Sequence, residues 1–103
     1  MIKLTVLYAN KDGGRFDMDY YCKKHFPMVQ AKLGAALKGV AIEQGISGGA
    51  PGSRPAYAAI GHLYFDSVDS YQKAFGPHAA AIMADIPNYT NVEPTVLVSE
   101  VKM

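Results

Sequence analysis

A single cysteine, Cys22, is all that the 103 residues contain, so no disulfide within the chain can staple a small fold together. Charge excess is equally scarce: ten Lys and Arg against nine Asp and Glu leave a net charge of +1. That balance provides no basic field for nucleic acid, and Lys23, Lys24, Lys32 and Lys38 read as solvated helix surface. No stretch approaches the roughly eighteen apolar residues of a membrane span. Residues 2–9 are too short, and lack the basic start and cleavage pattern, to be a signal peptide. The expectation is a soluble, cytoplasmic protein. Neither a P-loop nor a G-x-G-x-x-G behind a strand is present, since Gly48-Gly49-Ala50-Pro51-Gly52 lies between strands instead of opening a helix. His25, His62 and His78 have no pair at metal-ligand spacing and no completing cysteine or carboxylate cluster. No metal and no cofactor are therefore expected.

What is present is a 50% hydrophobic composition, enough for a small core in one domain spanning residues 1–103, with stability to gain from a partner subunit. Residues 2–8 alternate as a strand, with Ile2, Leu4, Val6 and Tyr8 on the apolar side. Asp17 is placed to cap a helix running to about Gly34. A short strand at 40–44 leads into the Gly, Pro and Ser-rich loop 45–55, read as a hairpin connection, with a lid or partner-contacting arm as the alternative. Residues 56–65 form a strand with Tyr57, Ala59, Gly61, Leu63 and Phe65 on one face and Ala58, Ile60, His62 and Tyr64 on the other. A second helix opens after Asp66-Ser67, breaks at Gly76-Pro77 and resumes to Asp85; residues 95–101 are the last strand. The order β-α-β-β-α-β predicts an α+β, ferredoxin-like sandwich: a four-stranded antiparallel sheet with both helices on one face. The other face, with Thr5, Thr95 and one of the two rows of the third strand, is too apolar for a monomer, and a symmetric homodimer closing sheet on sheet is expected.

The unusual stretch is the first helix. At about 100° per residue, Met18, Cys22, His25, Val29, Leu33 and Ala36 share one stripe. His25 is thereby turned inward, Cys22 reads as a small core residue, and Pro27 faces solvent, where a kink is tolerable. A buried imidazole, whose pKa is ordinarily about 6.5, is either a core residue with one hydrogen-bond partner or a group for proton transfer. Tyr21, one turn earlier, is its expected neighbour in preference to Tyr20; no charged partner is identifiable. Met18, Met28, Tyr57, Tyr64 and Phe65 are candidate walls of an apolar pocket. His62 and His78 complete the histidine candidates, and Asp85, Asn88 and Tyr89 are candidates for its mouth, although an Asp and an Asn at a helix end are ordinarily caps.

These residues resemble the EthD family, named for ethyl tert-butyl ether degradation, within the dimeric α+β barrel superfamily. The resemblance rests on Phe16-Asp17 followed by Asp19-Tyr20-Tyr21, His25 and Pro27, on Gly48-Gly49-Ala50-Pro51-Gly52, on Phe75-Gly76-Pro77-His78 and on Asp85-Ile86-Pro87-Asn88-Tyr89-Thr90. It implies a ferredoxin-like protomer that dimerises through its sheets, and a place in the oxidative degradation of small hydrophobic, ether or aromatic oxygenated compounds, classed with oxidoreductases. The expectation is a cofactor-free oxidoreductase or proton-transfer enzyme using His25. The alternative is a non-catalytic dimer that holds or delivers an apolar intermediate to a partner oxidase.

Overall fold

In the computed structural model, which describes residues 1–103, strands β1 (Ile2–Ala9), β2 (Gly39–Gln44), β3 (Tyr57–Phe65) and β4 (Thr95–Glu100) form one antiparallel sheet in the order β2-β3-β1-β4. Period-two patterning decides which face meets the helices. Ile2, Leu4 and Tyr8 of β1 and Ala59, Gly61, Leu63 and Phe65 of β3 are buried, and antiparallel pairing places them side by side, Leu4 opposite Leu63 and Tyr8 opposite Ala59. The row left for the open face is His62 and Tyr64, as cross-strand partners of Thr5 and Lys3. With Leu7, Ile60, Leu97 and Thr95 this face stays uncovered within the protomer. His62 is held there between Thr5, whose hydroxyl lies 3.3 Å from Nδ1, and Glu43, which accepts from Nε2 at 2.8 Å.

The helical layer consists of α1 (Met18–Tyr20) and α2 (Phe26–Leu33) in the first crossover, and α3 (Val68–Phe75) and α4 (Ala79–Ala84) in the second. Asp17 caps α1 by accepting from the Tyr20 N–H at 3.0 Å, and Ser67 caps α3 by accepting from Ser70. A 3₁₀ turn, Gly76–His78, carries Pro77 between α3 and α4. No helix is long and apolar enough to cross a membrane.

The regular helix expected over 17–34 is corrected at one point. Tyr21–His25 is a π-helical turn, with the Phe26 N–H reaching back five residues to the Tyr21 carbonyl. Each residue in so wide a turn advances by less than the α-helical 100°, so Tyr21 comes into line with Val29 and Cys22 is carried out of the stripe. Cys22 is accordingly exposed, not a core residue, and the buried set is Tyr21, His25, Phe26, Val29 and Leu33. Pro27, exposed as expected, follows the wide turn directly; its ring would meet the Lys23 carbonyl in a regular helix, and the extra residue makes room for it.

Two crossovers far apart in sequence are stitched together at the end of the sheet. The Asp17 N–H donates to the Tyr89 carbonyl at 2.8 Å, and the Thr90 hydroxyl donates to the Arg15 carbonyl at 2.6 Å. Asn91 accepts from the Arg15 N–H and donates to the Gly13 carbonyl. These bonds fix the start of α1 beside the segment after α4, which brings His25 against Asp85.

Candidate active site

Between the helices and the sheet lies a cavity of about 200 Å³. Its floor is Leu4, Val6 and Tyr8 of β1 with Leu63 of β3; Tyr21, His25, Phe26 and Val29 form one wall, and Tyr71, Phe75, Ile82 and Ile86 the other. Tyr89 closes one side, and the exposed Met83 and Val96 mark the mouth beside the edge strand β4. Gly61 makes the wall possible. A Cβ there would fall on the Tyr21 hydroxyl and come within 3.0 Å of the Phe26 ring, so only glycine lets both rings lie on the strand.

His25 is 4% exposed, wedged between aromatic rings. Tyr21 stacks on it at 5.5 Å with 10° between planes, and Tyr89 lies 4.7 Å away. Its Nδ1 is 2.8 Å from Asp85 Oδ2. The other carboxylate oxygen accepts from the Tyr20 hydroxyl at 2.7 Å and from Asn88 Nδ2 at 2.9 Å. The charged partner that sequence spacing did not disclose is therefore Asp85, sixty positions away, and Tyr20 joins the network through it while Tyr21 supplies the stacking face.

Burial lowers the His25 pKa below its ordinary value, against an opposing pull from Asp85. For Asp85, burial acts to raise the pKa, but hydrogen bonds from Asn88, His25 and Tyr20 outweigh it and the net shift is downward. The pair is thus a neutral imidazole donating Nδ1–H to an ionised carboxylate. Every buried polar side-chain atom has a hydrogen-bond partner, and Nε2 makes no hydrogen bond. It is therefore not sealed in, and the space that His25 lines is the cavity. The site sets a neutral imidazole, its Nδ1 held by Asp85, in the wall of an apolar chamber.

This arrangement has a stability consequence. A histidine with a lowered folded-state pKa binds fewer protons than the unfolded chain just below pH 6.5, so its contribution is full above that value and is lost as pH falls toward the folded pKa. Thermal melts of the wild type and His25→Gln between pH 7.5 and 5.5 are expected to show a steeper acid loss of Tm in the wild type. Parallel curves would remove the burial argument.

Of the other candidates, Tyr89 lines the cavity, and Asp85 and Asn88 stand behind His25; Asp85 is occupied as its partner and not as a simple cap. Met18 and Met28 are half-buried on the outer side of the core and do not reach the cavity. Tyr57 lies beyond a bulge at Tyr8/Ala9 and is exposed, where the strand has run past the helices. His62 and Tyr64 lie on the opposite side of the sheet. Phe65 is wholly buried under Tyr71, filling the core instead of lining the chamber. His78 is half-buried in the 3₁₀ turn, away from the cavity. The walls that sequence reasoning missed, Tyr71, Phe75, Ile82 and Ile86, recur at helical spacing along the second crossover, a signal shared by any core-facing helix. No three His, Cys, Asp or Glu side chains gather into a metal-binding group.

The profile of the EthD domain matches residues 15–93, from the segment before α1 through the stitched loop before β4. The chain belongs to the EthD family. An EthD-like protein from Ralstonia eutropha JMP134 is 41% identical, with a TM-score of 0.94 over 99% of this chain and 92% of its own. An ethyl tert-butyl ether degradation (EthD) family protein from Bacillus halodurans C-125 shares the fold at 20% identity and a TM-score of 0.75, covering 99% of each chain. A dimeric protein of unknown function and ferredoxin-like fold from Bacteroides fragilis NCTC 9343 does so at 14% identity and a TM-score of 0.60, over 97% of this chain and 95% of its own. No curated protein matches the chain. In this EthD domain the matched segment contains His25, Asp85, Tyr20 and Asn88 together, whereas β1 and β4, which lie outside it, supply Tyr8 and Val96.

Proposed function

We propose that this EthD protein is a proton-transfer enzyme for a small hydrophobic oxygenated compound, ether-derived or aromatic, within an oxidative degradation route. His25 is its general base and acid, and Asp85 orients it. The observation that carries the reading is the unbonded Nε2 of a buried histidine, held by a carboxylate at 2.8 Å, on the wall of an apolar cavity. A base fixed in tautomer and direction is what proton abstraction needs, and its lowered pKa keeps it unprotonated at neutral pH. The working unit is a homodimer closed over the Leu7, Ile60, Tyr64 and Leu97 face, whose apolar surface is otherwise left in water.

The second reading, a carrier that hands an apolar intermediate to a separate oxidase, is favoured by the lining, which has only one residue that titrates near neutral pH. Incubating the isolated protein with single-ring and short-chain oxygenated compounds, with and without an oxidase, and following product by mass spectrometry separates the two. Turnover by the isolated protein, lost in His25→Gln, is the expected result. Binding without turnover in any combination lacking the oxidase would replace the enzyme with the carrier.

A further inference from the structure

The cavity holds a second polar feature that the histidine does not use. The hydroxyls of Tyr8 and Tyr89 are 2.5 Å apart, and that of Tyr21 adjoins Tyr8. All three rings line the cavity. The three hydroxyls bring three hydrogens; Tyr8 and Tyr89 share one bond and at most one more can form between Tyr8 and Tyr21, so at least one hydrogen has no acceptor among them. Burial raises the pKa of each of the three, which keeps all of them donors.

We propose that this hydroxyl chain is the subsite for the carbonyl oxygen of a neutral ketone or ester about the size of one substituted ring, held with its α-carbon toward His25. The size follows from the volume: a cavity of roughly 150 Å³ accepts benzene, and about 200 Å³ leaves room for a short substituent. Neutrality follows from the lining, which includes no Lys or Arg, while the carboxylate of Asp85 lies directly behind His25. The role rests on the reading of His25 as a base. Nε2 takes the α-proton, the C–H electron pair becomes the C=C bond of an enolate, and the carbonyl π pair moves to oxygen, where the tyrosine hydrogen bond strengthens as charge develops. Returning the proton completes the cycle with no oxidant or reductant consumed.

The test uses phenylacetone in D₂O, with α-proton loss followed by ¹H NMR and binding followed by ligand line broadening, and phenylacetate as the anionic comparison. The wild type is expected to bind and exchange the ketone and to ignore the acid. Tyr21→Phe and Tyr89→Phe retain ring packing. The one that removes the free hydrogen should lower the exchange rate by about 10²-fold, mainly in kcat, with an unchanged circular dichroism spectrum. If both variants bind and exchange like the wild type, the subsite is overturned while His25 as base stands. Preferential binding of phenylacetate also overturns it. Ketone binding that the Phe variants weaken, without any exchange, upholds the subsite and counts against His25 as the base.

Discussion

Gly61→Ala is expected to destabilise the protein by about 1–3 kcal/mol, although adding a methyl to a glycine inside a strand ordinarily gains about 0.5–1 kcal/mol. The sign reverses because the new Cβ would fall on the Tyr21 hydroxyl and 3.0 Å from the Phe26 ring. Neither ring has a free direction: Tyr21 is stacked on His25 and packs edge-on against Tyr8, Phe16 and Phe26. A loss of that size lowers Tm by roughly 4–8 °C per kcal/mol in a domain of about this length. The decisive comparison is with Gly61→Ala in a Tyr21→Phe background. Removing the hydroxyl deletes the worst clash and leaves the Phe26 contact, so the double variant should regain part of the loss, with a coupling of about 0.5–3 kcal/mol. Additive losses, or a Gly61→Ala protein as stable as the wild type, would mean that the ring packing on β3 is looser than described.

The second large effect lies in the histidine pair. His25→Gln should abolish proton transfer, and Asp85→Asn should reduce it on the order of 10²–10⁴-fold. The two fail differently. Gln at position 25 has no lone-pair nitrogen to offer, so no pH restores activity. Asn at position 85 leaves the imidazole in place, removes the charge that pulls its pKa upward against burial, and offers an amide in place of a carboxylate acceptor. The amide can accept from Nδ1–H or donate to Nδ1, so Nε2 is no longer held in its unprotonated form. Its pKa should fall further, moving the acid limb of the rate profile to lower pH even as the maximum drops; ¹⁵N NMR of the imidazole reads both the pKa and the tautomer. An Asp85→Asn enzyme with the wild-type rate and titration would reduce Asp85 to a structural contact.

The strand alternation, the two caps and the inward turn of His25 were all legible in local sequence, because each depends on neighbours within a few positions. The β-α-β-β-α-β order led to the ferredoxin-like sandwich for the same reason. Asp85 was not recognisable as the partner of His25. Next to Ile86-Pro87-Asn88 it has the composition of a helix end, and its second role exists only because Thr90 and Asn91 tie its loop to Arg15 and Gly13. The choice between the two rows of β3 needed the register with β1. A constant 100° step puts Cys22 in the buried stripe, whereas the π-helical turn carries it out to solvent, and nothing in the residues 21–25 taken alone announces a wider turn.

That wide turn has a mechanical meaning. It works as a vernier between two scales: the capped segment ending at Tyr20 is tied to the loop carrying Tyr89, the segment from Phe26 onward is seated on the sheet, and the five residues between absorb the mismatch in phase. The distance along the chain from Asp17 to Phe26 is therefore a counted length. The exposed side chains of the wide turn, Cys22, Lys23 and Lys24, can vary in kind while the number of residues cannot, because losing one would swing Tyr20 away from Asp85 and Tyr21 off the imidazole in a single step.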